Sequence, residues 1–376
     1  MVGNPAPRAT LKIPLQGITI LSATLVIFLI LSIPVTSLAK ATGPCVNCHT
    51  MHNSQGGAAM ATYGGETGPN SLLTRGSCIG CHAQGTANKI VTIGGSDIPQ
   101  VYHTDGSGDL AGGNFKYIET DDNRGHNVSD FGNPDGILNS APGHHSTTQP
   151  TTNTLTCAGH NGCHGYRRFN AGSGLPTLKG AHHGNVDGKC NSADTVANSY
   201  RFLWGVKGFE NMGANKYQNL NATDHNEYFG TTSPGETGCV DCHDVADDMK
   251  IKSPNNTISG FCSTCHSNFH KLSGIGGSTT GPFTRHPTDV VLPDDVSKEY
   301  KDYTTYSVEA PVGRTTVPDA PSGTVTPGTD VVTCLSCHAA HATNYPDMLR
   351  WDYTTMIASG GSNTTGCFTC HTQKDD

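Results

Sequence analysis

The chain has 376 residues, of which 35% are hydrophobic and 7% aromatic, whereas 46 are glycine. A chain of this length and composition lacks the apolar side chains for one large core. Its formal net charge of −8 argues against nucleic acid as a partner and suits basic or metal-cation partners.

The first segment predicts a secretory signal peptide at 1–39. Ile18 to Ile33 is apolar, and small residues at Ser37-Leu38-Ala39 or Ala39-Lys40-Ala41 suit cleavage. An uncleaved membrane anchor is the alternative, because the apolar run approaches the length that spans a bilayer. No later stretch is long and apolar enough to cross a membrane. We therefore expect 40–376 to form one exported domain without a membrane span after signal cleavage.

A Cys-x-x-Cys-His pattern begins at Cys45 and repeats along the rest of the chain. It is the attachment signature of a c-type haem, in which two thiolates add to one porphyrin and the next histidine binds the iron. The predicted thioether cysteines of the six strict copies are Cys45 and Cys48, Cys78 and Cys81, Cys239 and Cys242, Cys262 and Cys265, Cys334 and Cys337, and Cys367 and Cys370. The predicted proximal histidines of these copies are His49, His82, His243, His266, His338 and His371.

A seventh copy is stretched, with five residues between Cys157 and Cys163 before His164. Gly159 and Gly162 would let this longer loop bulge outward while the two sulfurs keep their positions. The alternative for this copy is a structural cysteine pair. We expect seven haem c (heme c) groups, with this site the least regular, and their porphyrins would supply the missing apolar interior.

Zinc sites and disulfides explain the cysteine pattern less well. A structural zinc needs four ligands, and zinc binding would not place a histidine after every second cysteine. Disulfides would leave an odd thiol and no reason for the fixed spacing. Seven pairs use fourteen of the 15 cysteines. The remaining one, Cys190, is expected to be a free buried thiol.

Between the motifs the chain is rich in Gly, Asn, Asp and Thr, which predicts loops. We expect a short strand at Lys89–Ile93, a helix at Phe261–Leu272, a loop at Ala310–Asp330 and a helix near Asp347–Ile357. The predicted fold class is mostly coil with short helices and very little strand, packed around a continuous chain of haems.

The second axial ligands are predicted to be histidines. Of the 19 histidines, seven belong to the motifs, and the other twelve suffice for two histidines on every iron. Three of these twelve follow a motif histidine by three or four residues: His52 after His49, His270 after His266, and His341 after His338. In a helix such a pair shares one face, whereas axial ligands approach an iron from opposite sides. Each second histidine should therefore bind the iron of a different, nearby haem.

Several histidine contexts occur in a recognisable order: Cys48-His49-Thr50-Met51-His52-Asn53-Ser54, Tyr102-His103, Gly125-His126-Asn127, Tyr166-Arg167-Arg168-Phe169, Arg285-His286-Pro287, and Cys334-Leu335-Ser336-Cys337-His338-Ala339-Ala340-His341. With them the sequence resembles the extracellular multihaem c-type cytochromes of metal-reducing bacteria, most closely the filament-forming OmcS-type family. The resemblance implies stacked bis-histidine haems with little secondary structure. It implies that His52 binds a haem of the neighbouring subunit, which produces an open head-to-tail filament. It also implies distal ligands within the chain at His103, His126, His270, His286 and His341.

The chain departs from this family in haem number, because the family's filament former has six haems and this sequence predicts seven. The extra motif at Cys239–His243 needs an extra distal ligand, and His225, His183 and His145 are the candidates. The choice among them stays open.

The sequence thus predicts extracellular electron transfer through closely packed haems, in a secreted filament subunit at the outer cell surface. Its expected partners are copies of itself, redox partner cytochromes and acceptors such as metal oxides. A monomeric periplasmic or outer-surface carrier is one alternative. A multihaem reductase with one catalytic haem is another, but the spare histidines argue against the open iron that it needs. We therefore expect an electron carrier with no catalytic residues rather than an enzyme.

Overall fold

The computed structural model describes residues 3, 43–61, 67–84, 87–132, 134–143, 151, 153–164, 172, 174–175, 203, 205–209, 220–232, 257–270, 285–297, 299–358 and 364–372. The chain divides into two compact units, Met1–Leu38 and Ala39–Asp376. Several sequence predictions lie outside the described residues: the signal peptide apart from Gly3, the Cys239–His243 motif, Tyr166–Phe169, His145, His183 and Cys190. No helix within the described ranges is both long and apolar enough to span a bilayer.

Helix is scarce and short throughout the described part of the chain. Two α-helices are present, α1 at Ile79–His82 and α2 at Ile258–Ser263. The 3₁₀ turns lie at Cys45–Asn47, Phe115–Glu119, Asp122–Arg124, Ser129–Phe131, Ser267–His270, Glu299–Asp302, Cys334–Ser336, Pro346–Met348, Tyr353–Thr355 and Gly366–Thr369. Most described residues are therefore coil, which confirms the predicted fold with short helices and little strand.

Three pairs of short strands are separate from the main sheet. Strands β1 (Ser54–Gln55) and β2 (Ala58–Ala59) are antiparallel, as are β3 (Ile90–Ile93) and β4 (Ser96–Pro99). Gly94 and Gly95, at φ 62° and 92°, form the two-residue turn that joins β3 to β4, a conformation that favours glycine. Strands β5 (Thr156–Ala158) and β6 (Gly162–His164) are parallel. The strand predicted at Lys89–Ile93 is thus confirmed as the first half of a hairpin.

One five-stranded sheet collects segments from the second half of the chain. Its members are β7 (Val206–Lys207), β8 (Glu227–Phe229), β9 (Val290–Val291), β10 (Gly313–Arg314) and β11 (Val331–Val332). The spatial order is β7-β8-β10-β11-β9, and only the β8–β10 pairing is parallel. β10 lies inside the segment predicted as a loop, so that prediction was incomplete.

The two helices predicted in the second half differ from those observed. Helix α2 begins at Ile258, because the Thr257 hydroxyl caps it by accepting from the Gly260 N–H at 2.9 Å. It ends at Ser263, well before the predicted end. The helix predicted near Asp347–Ile357 was wrong, because Asp347 and Met348 have φ of 59° and 60°, which a continuous α-helix does not allow.

Apolar packing is divided among three small clusters, each of which contacts a predicted thioether cysteine. The first cluster, at Val206, Tyr228, Ile258, Phe261 and Leu335, packs against Cys163 and Cys262. The second, at Leu292, Tyr303, Tyr306, Val312, Val325 and Val332, packs against Cys370. The third, at Phe115, Ile118, Val128 and Ala342, packs against Cys157. The apolar side chains of the described residues therefore surround the positions from which haem would be attached.

A buried ionic network lies within the five-stranded sheet. The Arg314 guanidinium donates to Glu227 and to Asp330, each at 2.7 Å, and all three side chains are at most 8% exposed. The Ser322 N–H also donates to Glu227 at 2.7 Å. Burial raises the pKa of Glu227, but the hydrogen bonds and the Arg314 charge outweigh it, so the pKa is lowered overall. The network ties β8, β10 and the segment before β11 together.

Candidate haem centres

The strict motifs described by the structure share one local geometry. In each, the N–H of the motif histidine donates to the carbonyl oxygen of the first motif cysteine at 2.7–3.1 Å, which closes one helical turn. The five turns lie at Cys45–His49, Cys78–His82, Cys262–His266, Cys334–His338 and Cys367–His371. A single turn brings both cysteines and the histidine to one side of the backbone, as attachment to one porphyrin requires.

The stretched motif has a different local structure. Its cysteines lie on the two parallel strands β5 and β6, and the Gly159 N–H donates to the His164 carbonyl at 2.9 Å. Gly159 has a φ of 94°, and a Cβ on Gly162 would lie 2.5 Å from the backbone nitrogen of Ala158. The expected bulge is therefore formed by two glycines, one for its conformation and one for the close backbone approach.

Three of the six described motif histidines have their Nδ1 atom oriented by a backbone carbonyl. The acceptors for His82, His266 and His338 are the carbonyl oxygens of Pro99, Pro142 and Asp347, each at 2.8 Å. The acceptor for His371 is instead a carboxylate, Oε1 of Glu299, at 3.0 Å. A histidine that donates its Nδ1–H in this way is the tautomer with a lone pair on Nε2, and that lone pair can bind a metal.

Three predicted distal histidines lie opposite three predicted proximal ones. The ring centroids are 6.2 Å apart for His164 and His341, 6.1 Å for His126 and His266, and 6.2 Å for His286 and His371. Two imidazoles that share one metal through bonds of about 2 Å have their centroids about 6 Å apart. The residues present therefore fit an iron between each pair.

The His341 ring lies next to that of His164, the histidine of another motif. The continuous helix on which the prediction for His341 relied is not observed. The backbone between them is not helical, and the His341 N–H donates to the Gly112 carbonyl at 2.7 Å. His126 also bonds this segment, with its Nδ1 2.9 Å from the Ala340 carbonyl oxygen. One short segment thus contributes to two histidine pairs.

Burial keeps these imidazoles in the neutral form that binds metals. Desolvation, aided by nearby His164 and His126, lowers the pKa of His341 to about 3. Desolvation likewise lowers the pKa of His164 to about 4 and lowers that of His126. The nitrogen lone pairs of all three rings are therefore available at neutral pH.

His103 is a predicted distal ligand whose ring is completely buried. Neither ring nitrogen has a hydrogen-bond partner among the described residues, and the nearest carboxylate, Asp109, is 3.7 Å from Nε2. A buried polar atom without a partner costs about 1–3 kcal/mol. A bound metal would remove this penalty, so His103 fits the ligand role.

His270 and His52 show other environments. The Nε2 atom of His270 lies 2.6 Å from Oδ2 of buried Asp289, and its Nδ1 has no partner among the described residues. This ring is therefore held by a carboxylate. It also lies near Cys334, whose thiol has its pKa lowered to about 7 by a hydrogen bond with Cys262 and, to a smaller extent, by His270. His52 is exposed, with a φ of 57°, so its side chain is accessible to another molecule.

His225, one of three candidates for the seventh distal ligand, has protein partners at both ring nitrogens. Nδ1 lies 3.1 Å from the Asn221 carbonyl oxygen and Nε2 3.1 Å from Oε1 of Glu227. Its ring stacks on Tyr306 with centroids 3.7 Å apart. These contacts make His225 a part of the buried network around Arg314 and disfavour it as a ligand.

Cysteines of motifs that follow one another within the described ranges are neighbours in space; the Cys239–His243 motif is outside those ranges. The side chains of Cys48 and Cys81, of Cys78 and Cys157, and of Cys262 and Cys334 are within hydrogen-bonding distance of each other. Cys163 lies close to Cys262, and Cys337 to Cys367 and Cys370. The described motifs therefore follow one another in space in their sequence order, each beside the next.

One group of potential metal ligands, formed by Cys78, Asp130 and Cys157, has its ligand atoms within 4.8 Å of one another. Both cysteines are predicted to form thioether bonds, which would remove the thiolates that an ion needs. None of the twelve cysteines in the described ranges forms a disulfide. This group is best understood as the meeting point of two attachment motifs.

The repeated attachment turns, the facing histidine pairs and the coil-rich fold are the features expected of a multihaem c-type cytochrome. The family described as "Doubled CXXCH motif" matches residues 327–376, which hold the last two motifs. The chain is 26% identical to C-type cytochrome OmcS of Geobacter sulfurreducens over 385 aligned residues, covering 86% of this chain and 82% of that protein. The resemblance predicted from the histidine contexts is thus confirmed.

Two solved structures are also similar to the chain, each with a TM-score of 0.45. The cryo-EM structure of OmcS nanowires from Geobacter sulfurreducens is 21% identical and covers 87% of this chain and 88% of that chain. The outer membrane cytochrome S filament from the same organism is 20% identical, with 86% and 87% covered.

Proposed function

We propose that this protein carries electrons through a continuous series of bis-histidine haem c centres and that it is the subunit of an extracellular filament. The observation that carries the proposal is the set of three histidine pairs with centroids 6.1–6.2 Å apart, each joining separate segments of the chain. Haem bound between such histidines supplies a one-electron iron couple with no open coordination position. This arrangement suits electron transfer rather than substrate binding.

The proposed ligand sets combine motif and distal histidines. We assign His341 to the iron of His164, His126 to that of His266, and His286 to that of His371, on the basis of their separations. His103 and His270 are assigned to further irons within the chain. The seventh distal ligand is one of His183 and His145, because both nitrogens of His225 are engaged. Seven haems per chain is the resulting stoichiometry.

The contacts between consecutive motifs support a continuous path. Since cysteines from adjacent motifs touch, the porphyrins attached to them must also be close. The backbone segment of Ala340 and His341 orients ligands in two pairs at once, through its bond to His126. The chain thereby holds neighbouring centres at fixed spacing, as efficient electron transfer requires.

The assembly part of the proposal rests on His52. Its side chain is exposed, its predicted role is to bind a haem of the next subunit, and the relative OmcS is known in the form of nanowires. A contact in which one subunit donates a ligand to the next is heterologous, so it can repeat from subunit to subunit and form an open filament.

We propose that residues 1–39 are removed on export and that 40–376 form one domain. The filament passes electrons to partner cytochromes and external acceptors at the outer surface.

The decisive experiment has two measurements on protein purified from a host that matures c-type cytochromes. A pyridine haemochrome assay combined with intact mass should give seven covalent haems per chain. Cryo-electron microscopy of material sheared from the producing cells should show filaments with one unbroken haem series. Particles of monomer size alone would contradict the filament, and a mass equal to the bare polypeptide would contradict the whole proposal.

A further inference from the structure

The last motif differs from the others in the acceptor that orients its histidine. His82, His266 and His338 each donate Nδ1–H to a neutral backbone carbonyl at 2.8 Å. His371 donates to the Glu299 carboxylate at 3.0 Å. Among the motif histidines whose Nδ1 contact the structure describes, His371 alone has an anionic acceptor.

Glu299 is held in place by its surroundings. It begins the 3₁₀ turn Glu299–Asp302, and its backbone carbonyl accepts a hydrogen bond from the Thr372 hydroxyl, next to His371. The Tyr300 ring packs edge-on against His371 with centroids 5.0 Å apart. The Glu299 side chain is 13% exposed and that of His371 is 24% exposed, so water screens this pair less than a surface pair.

We propose that Glu299 is a positioning residue that lowers the reduction potential of the haem attached at Cys367 and Cys370. The inference rests on the proposed function, because it requires a haem between His371 and His286. A carboxylate that accepts Nδ1–H makes the imidazole a stronger donor through Nε2 than a carbonyl does. Stronger donation favours iron(III) over iron(II), which differ by one electron while both axial bonds remain.

The predicted haem of this motif lies at one end of the series of described motifs. Cys370 lies near Cys337, and the motif is the last in the spatial order of the described motifs. The opposite ligand, His286, has its Nδ1 2.9 Å from the carbonyl oxygen of its own neighbour Pro287. The terminal centre should therefore have a lower potential than the centres of His82, His266 and His338.

The test is a spectroelectrochemical titration of the full-length holoprotein carrying Glu299→Gln, with the electrode as electron donor. The amide oxygen still accepts the hydrogen bond but has no charge. We expect one haem per chain to become easier to reduce, with its equilibrium constant for reduction rising about tenfold, equivalent to about 59 mV for one electron. One low-spin electron paramagnetic resonance signal of one spin per chain should change its g values. The other haems should titrate as before.

Asp302→Asn is the matched control, because it removes one carboxylate from the same turn at an exposed position that bonds Lys301. Glu299→Asp keeps the charge and should restore most of the low potential. A Glu299→Gln potential equal to that of the Asp302→Asn control, or a uniform shift of all haems, would overturn the inference. If Glu299→Gln does not retain its haem, Glu299→Ala takes its place, and a terminal potential equal to that of the Asp302→Asn control would count against the proposal. Full haem content without a selective shift refutes only this inference, whereas missing haems in the wild-type chain refute the proposed function.

Discussion

The His341 ring lies 6.2 Å from the ring of His164, although in sequence His341 follows the motif histidine His338 by three residues. The two rings meet because the segment that carries His341 crosses another part of the chain. The His341 N–H bonds the Gly112 carbonyl, and the His341 carbonyl accepts from the His126 N–H. On the proposed ligand assignment, the loop that follows one attachment motif supplies a ligand for the haem of another.

His341→Ala should remove the sixth ligand from the centre at Cys157 and Cys163. We expect the covalent haem content to stay unchanged, because the thioether bonds remain, and one haem per chain to become high-spin. Electron paramagnetic resonance with spin quantification would measure this. His160→Ala, within the same stretched motif, is the control and should leave every haem low-spin. A wild-type spectrum from His341→Ala would contradict the pairing with His164.

Gly162→Ala tests whether haem attachment at the stretched motif requires this glycine. A Cβ at this position would lie 2.5 Å from the Ala158 backbone nitrogen, so β5 and β6 would have to separate. We expect chains with one haem fewer than wild type, measured by intact mass. The control is Gly106→Ala, since a Cβ there has no neighbour within 4 Å. Unchanged haem content in Gly162→Ala would show that the loop adapts and that the glycine is not required.

His225→Asn separates a structural histidine from a ligand. Because both ring nitrogens bond Asn221 and Glu227, we expect all haems to remain low-spin. The free energy of unfolding should fall by about 1–3 kcal/mol, since Glu227 loses a buried partner. His183→Ala and His145→Ala, measured alongside by electron paramagnetic resonance, should include one variant with a high-spin haem. A high-spin signal from His225→Asn would instead make His225 the seventh distal ligand.

Arg314→Met tests the buried ionic network in the five-stranded sheet. Removing the guanidinium leaves Glu227 and Asp330 as buried carboxylates without their cation, and such losses cost about 3–5 kcal/mol. Denaturant unfolding followed by circular dichroism would measure the change. Asp319→Asn is the control, because Asp319 is fully exposed in its pair with Lys207 and should change stability little. Equal stabilities of the two variants would show that the network contributes nothing net.

His52→Ala tests assembly. On the filament proposal, each subunit should keep its covalent haems, one haem should lose its sixth ligand, and filaments should shorten or disappear in electron micrographs. Met51→Ala is the neighbouring control, since Met51 is 67% exposed and is not expected to bind iron. Normal filaments with all haems low-spin in His52→Ala would refute the ligand role of this residue.

Prediction from sequence worked best where the chemistry is local. The attachment turn needs five consecutive residues and one hydrogen bond, such as that from His82 to the Cys78 carbonyl, so spacing alone identifies it. The strand predicted at Lys89–Ile93 is also local, since it pairs with β4 across a two-residue turn. Prediction failed near Asp347–Ile357, where two left-handed residues interrupt a helix that the composition allowed.

The sequence by itself determined the attachment sites, the oversupply of histidines and the coil-rich character, because each depends on residue types at short fixed spacing or on overall composition. Only the tertiary structure decided which histidine faces which, since His126 meets His266 and His286 meets His371 through contacts between distant segments. It also decided that His225 belongs to an ionic network and that Glu299 orients His371. Those contacts join segments that are far apart in a chain with little regular structure. The sequence has no periodic pattern from which the distant partner of a side chain could be predicted.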